Sequence, residues 1–188
     1  GLGAGVTVVE AMDRVLPIPS VDEDCSKTLQ REMAKKKIKV IVNRTVGSFE
    51  EKDGKLLVAI GPSPFLKRPT EKDKKPIILK TEKILVTIGR KPSTDGIGLD
   101  KIALETNAKG WISADEGLRT TADNVYAIGD ILGPEKIMLA HVASTEGAVA
   151  AANALGGDAS MDYTAVPGGI FTSPEIGVAG LTEKQARE

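Results

Sequence analysis

The sequence predicts an α/β fold in more than one part, and three observations carry that prediction. A β-branched run, an acid-headed helical stretch and a second β-branched run follow one another over residues 5–43. Extended segments around Asp53-Gly54 then read as an antiparallel meander. A separate strand, loop and helix unit occupies residues 124–155. Strand, helix, strand order implies a parallel pair, because parallel neighbours need a crossover of helix length between them.

Taken in order, Gly5-Val6-Thr7-Val8-Val9-Glu10 is short, β-branched and closed by an acid, the pattern of a buried parallel strand. Pro17 and Pro19 make a loop, after which Ser20-Val21-Asp22-Glu23-Asp24 puts acids at a helix N-terminus. Lys35, Lys36 and Lys37 complement the other end of the dipole, so the helix should run to about Lys37. Lys39-Val40-Ile41-Val42-Asn43 is again a strand. From Thr45 the pattern turns antiparallel, with Val46 to Glu51 and Leu56 to Ile60 joined at Asp53-Gly54, a dipeptide suited to a tight hairpin turn. Pro76 to Thr81 should pair back onto that hairpin. Between them Pro62 to Lys75 is rich in proline and charge. Its Lys67, Arg68, Lys72, Lys74 and Lys75 are interrupted by Glu71 and Asp73, which points to a solvated hairpin tip rather than a basic binding patch.

Further on, Lys83-Ile84-Leu85-Val86-Thr87-Ile88-Gly89 reads as an apolar strand, and Arg90-Lys91-Pro92 as a boundary. Trp111 to Thr121 is mixed loop and strand. Asn124-Val125-Tyr126-Ala127-Ile128-Gly129-Asp130 reads as a short buried strand ending in Gly-Asp. Met138 to Leu155 is an alanine-rich helix stopped by Gly156-Gly157. After Asp162, Gly169-Ile170-Phe171-Thr172 is strand-like and Leu181 to Lys184 opens another element. No repeat or low-complexity stretch interrupts this order.

Composition removes several function classes. Lysine and arginine number 25 against 26 acidic residues, a formal charge of -1, which gives no electrostatic footprint for nucleic acid or an anionic membrane. No apolar run approaches the roughly 20 residues that span a bilayer, so the chain reads as soluble. The single cysteine, Cys25, cannot form an internal disulfide and suits a reducing, cytoplasmic compartment, with an organellar matrix left open. No metal site is expected.

Two constellations carry chemistry. Glu10 closes the first strand, and in a dinucleotide-binding unit an acid there accepts from both adenosine-ribose hydroxyls and repels a 2′-phosphate, favouring NAD over NADP. On the residues alone, a plain strand-end acid is the commoner reading. The second constellation is Asp130, at the carboxyl end of its expected strand, facing the start of the next helix. A carboxylate there can hold a polyol, while free N–H groups around Met138 to His141 can donate to a ring carbonyl and stabilise charge that builds up as the ring is reduced. A flavin needs both.

The segments Ile84 to Pro92, Val125 to Asp130 and Met138-Leu139-Ala140-His141-Val142-Ala143-Ser144-Thr145-Glu146-Gly147 resemble, in order and spacing, signatures of the dihydrolipoamide dehydrogenase branch of the flavoprotein pyridine nucleotide-disulfide oxidoreductases. Tyr163 to Gly180, with Phe171-Thr172-Ser173-Pro174-Glu175, is similar to the entry of that family's interface domain. The resemblance implies a Rossmann-like NAD-binding domain over 1–92, part of an FAD-binding domain over 93–161, and the start of a dimerisation domain over 162–188. It assigns Glu10, Val46 and Gly89 to NAD, and Asp130, Met138, Leu139, Ala140 and His141 to FAD. Arg90 belongs to the signature without an evident role.

By the same resemblance the parent protein carries electrons from dihydrolipoamide through a redox disulfide and FAD to NAD⁺. It works as a homodimer on lipoyl domains of 2-oxoacid dehydrogenase or glycine cleavage complexes. A mercuric or glutathione reductase is the alternative that Glu10 and Ala140-His141 disfavour. The family's cysteine pair, glycine-rich phosphate loops and catalytic base are not among these residues, so the chain reads as an internal, truncated and non-catalytic fragment. His141 and Glu146 copy the spacing of the family's catalytic His-Glu pair but lie in another motif, and Cys25 has no partner, so no catalytic residue is assigned.

Overall fold

The computed structural model describes residues 3–188, the Lys72 side chain of the expected tip excepted. The chain divides into two compact units, one running to Val86 and including Gly169–Glu188, the other Thr87–Gly168.

In the first unit, β1 (Thr7–Val9) pairs in parallel with β2 (Lys39–Ile41), Val8 opposite Val40, through the crossover helix α1 (Glu23–Lys35). Glu23 and Asp24 sit in the first turn of α1, and the helix ends where Lys37 turns left-handed at φ 59°. Two-stranded pairing leaves these strands half-buried, not enclosed as a fully buried strand would be. The meander follows as expected: β3 (Arg44–Lys52) pairs with β4 (Lys55–Pro62), which pairs with β5 (Ile77–Thr81), all antiparallel. Asp53 and Gly54, at φ 52° and 68°, supply the left-handed pair that lets a two-residue turn match the strands' twist.

The expected tip is solvated on its outer side but pinned on its inner side. Buried Arg44 donates to the carbonyls of Asp73 and Lys75 and pairs with the Asp73 carboxylate, and the short helix α2 (Glu71–Lys74) is closed by a Thr70–Asp73 capping box. The tail contributes β6 (Gly168–Ile170), β7 (Ile176–Val178) and, after them, α4 (Glu183–Arg187). Ile176 joins Val15 and Leu29 in an apolar cluster, and Asp22 accepts the Glu183 N–H at 2.9 Å, tying α1 to α4. Cys25 packs at the edge of this cluster, as a helical thiol should.

Two expected strands do not form. Lys83 to Gly89 pairs with no strand among the described residues, leaving Leu85 88% and Ile88 95% exposed. β-branched residues favour an extended backbone, yet a strand exists only where a neighbour takes up its N–H and C=O groups. Asn124 to Asp130 likewise makes only one bridge, Tyr126 to Arg119, and ends in a 3₁₀ turn, Gly129–Leu132, so Asp130 sits in that turn and not on a strand.

The second unit gathers around Leu118, 1% exposed, with Leu104, Ile112, Ala127, Leu132 and Ala150. Ala150 comes from helix α3 (Ala140–Ala154), which starts two residues later than expected and stops where Gly156 adopts φ 90°. Buried Asn153, near its end, donates to the Gly117 and Ala159 carbonyls and accepts the Ala159 N–H at 2.7 Å. No helix among the described residues is long and apolar enough to cross a membrane.

Candidate functional site

The 3₁₀ turn that bears Asp130 packs on the amino end of α3. Gly129 takes φ 73°, and a Cβ built there would lie 3.2 Å from that of Ala143, so the approach of turn to helix demands glycine. Gly133 closes the turn under the same constraint: a Cβ would lie 2.8 Å from the Trp111 ring.

Helix α3 offers an open N-terminus. Its N-cap, Leu139, has no side chain able to accept, and the helical ladder begins only with Ala143 N–H to the Leu139 carbonyl at 3.0 Å. The N–H groups of Ala140, His141 and Val142 precede that first bond, so they are the donors a helix leaves for a ligand. Met138 and Leu139 approach the helix half-buried, Leu139 in extended backbone, while Ala140 and His141 are exposed. His141 Nε2 lies 2.9 Å from the Pro167 carbonyl, and because a carbonyl can only accept, the proton resides on Nε2. The ring is thereby fixed to a local partner, which fits a structural part better than proton transfer.

Arg90, which sequence reasoning left without a role, forms an ion pair with Asp130, 40 positions on in the chain. Both residues line a groove of about 450 Å³ together with Trp111, Pro92, Ser93 and Ile131. A second residue missed from sequence is Glu146. It is 1% exposed, accepts the Gly129 N–H at 2.6 Å and the Tyr163 hydroxyl at 2.7 Å, and is the only carboxylate of an alanine-rich helix. That isolation was the signal available in the sequence. Burial and the bond to Glu146 push the Tyr163 phenol above its ordinary range, and Lys136 lies 4.7 Å from its ring centre.

In the first unit Glu10 follows β1, where one carboxylate oxygen accepts the Met12 N–H at 2.8 Å and its backbone carbonyl accepts from Arg44 at the head of β3. Val46 lies two residues along that strand, 41% exposed. Thus Glu10 and the head of β3 are brought together. Gly89, at φ 126°, belongs to the second unit. Among the described residues no group of His, Cys, Asp and Glu is arranged to hold a metal ion.

Comparison with known proteins agrees with this architecture. Residues 1–147 match the family model of pyridine nucleotide-disulphide oxidoreductases. Dihydrolipoyl dehydrogenase 3 of Haloarcula marismortui is 36% identical over 185 residues, 98% of this chain and 37% of the relative. A dihydrolipoyl dehydrogenase of Halobacterium salinarum is 39% identical over 186 residues, 98% of this chain and 36% of the relative. Among solved structures, LpdA from Mycobacterium tuberculosis superposes with a TM-score of 0.81 at 29% identity, over 97% of this chain and 36% of that one. The HOCl-induced flavoprotein disulfide reductase RclA from Escherichia coli gives 0.81 at 26% identity, over 98% and 39%. This chain spans little more than a third of the length of the curated relatives it matches. From the family match and the shared mixed α/β architecture, the chain belongs to the pyridine nucleotide-disulphide oxidoreductase family.

Proposed function

We propose that these residues form the cofactor-facing part of a dihydrolipoamide dehydrogenase, an enzyme that passes electrons from dihydrolipoamide through a redox disulfide and FAD to NAD⁺. The observation that carries this reading is the seating of the Asp130 turn against the open amino end of α3. A carboxylate on a turn that packs against a helix with bare amino-end donors suits a cofactor that joins a polyol to a reducible ring. Relatives named dihydrolipoyl dehydrogenase, 36% and 39% identical over nearly the whole chain, support the same branch.

In this reading Asp130 holds the ribityl chain of FAD, and the backbone of Met138, Leu139, Ala140 and His141 lines the flavin. Glu10 takes the NAD ribose, with Val46 and Gly89 along the same cofactor. FAD supplies the hydride chemistry when bound; the protein's part is to bind, orient and stabilise charge. Arg90 holds Asp130 until a ligand hydroxyl competes for it. The three-part division over 1–92, 93–161 and 162–188, the dimer, the lipoyl-domain partners and a cytoplasmic setting all belong to this proposal.

With one cysteine, these residues cannot form the thiol pair that a disulfide relay requires, which favours cofactor binding without turnover for the 188-residue chain. The test is a flavin absorption spectrum of the purified chain incubated with FAD, together with an assay of dihydrolipoamide-dependent NAD⁺ reduction. Bound flavin without turnover is expected. Turnover by the chain itself would overturn the non-catalytic reading, and failure to bind FAD would overturn the cofactor-facing one.

A further inference from the structure

We propose that Glu146 is a positioning residue for Asp130, clamping the Gly129–Leu132 turn from behind, and that Tyr163 holds the clamp closed. The inference rests on the reading of Asp130 as a cofactor ligand. Three observations carry it.

First, the turn has no side-chain cap, since Ile128 precedes it, and the Gly129 N–H, one of the opening amides that a helical turn leaves unbonded, finds its partner 17 positions on. Glu146 Oε2 provides it at 2.6 Å, across from α3. Second, Gly129 is left-handed and pressed against Ala143, so one hydrogen bond at its amide fixes the Ile128–Gly129 peptide, from which the chain turns directly into Asp130. Third, the other carboxylate oxygen is taken by the Tyr163 hydroxyl at 2.7 Å, from a segment beyond the helix. Both oxygens of a buried carboxylate are therefore occupied by donors of fixed position, leaving the side chain little freedom. Tyr163 is itself held, with Lys136 of the Asp130-to-α3 loop over its ring at 4.7 Å. Glu146 touches no part of the groove beside Asp130, and its effect on a ligand passes through the turn.

Hydrogen exchange of the 188-residue chain tests this, with FAD affinity measured in parallel on the same variants. Loss of a charge-assisted bond to a half-buried amide should speed exchange about 10- to 100-fold at the Gly129–Leu132 amides in Glu146→Ala, with the rest of α3 unchanged. Glu146→Gln keeps an acceptor for Gly129 and a donor for Tyr163, so it should restore most of the protection. Tyr163→Phe should give a smaller acceleration at the same amides. A uniform rise across α3, no rise at the turn in Glu146→Ala and Tyr163→Phe alike, or a rise in Glu146→Gln as large as in Glu146→Ala, would reduce Glu146 to an ordinary stabilising residue and overturn the proposal. FAD affinity should fall with Glu146→Ala and recover with Glu146→Gln; unchanged affinity in Glu146→Ala, where Asp130→Ala weakens binding, would overturn it too. Asp130→Ala binding FAD as the wild type does would refute the reading of Asp130 and leave the exchange result to judge the clamp.

Discussion

At the scale of single residues, exposure decides what each charge is worth. The Arg90–Asp130 pair has side chains 69% and 40% exposed, so water screens it and its contribution to stability is small. Arg90→Gln should lower unfolding free energy by less than about 1 kcal/mol in urea titrations. A loss of several kcal/mol would mean the pair is more than a solvent-facing contact. Tyr163 differs, because burial first, and the bond to Glu146 second, raise its affinity for the proton in the folded state. Above the ordinary tyrosine value of about 10 the unfolded chain begins to lose that proton while the folded chain keeps it. Native protein then binds more protons than unfolded protein, so stability falls as pH rises. Urea melts at pH 9 and pH 11 should show this decline in the wild type and a smaller one in Tyr163→Phe. Neither Arg90's partner nor Glu146's was legible in the sequence: an ion pair 40 positions apart leaves no local pattern, and a lone carboxylate in an alanine-rich helix marks the residue without naming the amide it bonds.

At the scale of elements, local chemistry was readable where the element carries its own partners. The Asp53-Gly54 hairpin, the pairing of Ile77–Thr81 and the crossover helix all follow from turn residues, dipole-matched ends and periodicity. Strands that depend on a distant neighbour were not readable. Lys83 to Gly89 has the composition of a strand and no partner among the described residues, and Asn124 to Asp130 yields to a 3₁₀ turn because Gly129 turns left-handed. Short α4 shows the opposite case, a five-residue helix sustained by its caps. Thr182 and Gln185 exchange hydrogen bonds, and Asp22 accepts the Glu183 N–H. Replacing Thr182 by alanine should cost about 1 kcal/mol and expose the Gln185 amide to exchange. An unchanged urea midpoint would show that α4 is held by its other contacts alone.

For the molecule as a whole, the residues assigned to the two cofactors divide between the compact units: Glu10 and Val46 fall in the first, Gly89, Asp130 and the start of α3 in the second. The candidate flavin cradle was legible as a motif, Gly-Asp followed by Met-Leu-Ala-His, although its aspartate arrives on a turn instead of a strand end. What survives that change is the chemistry, since a carboxylate beside free helix donors needs only proximity. An amide-resonance titration of the labelled 188-residue chain with FAD tests this most directly. Saturable shifts concentrated at Gly129–Leu132 and at Ala140, His141 and Val142, abolished in Asp130→Ala, are the expected result. Shifts that bypass both segments, or that persist unchanged in Asp130→Ala, would contradict the account.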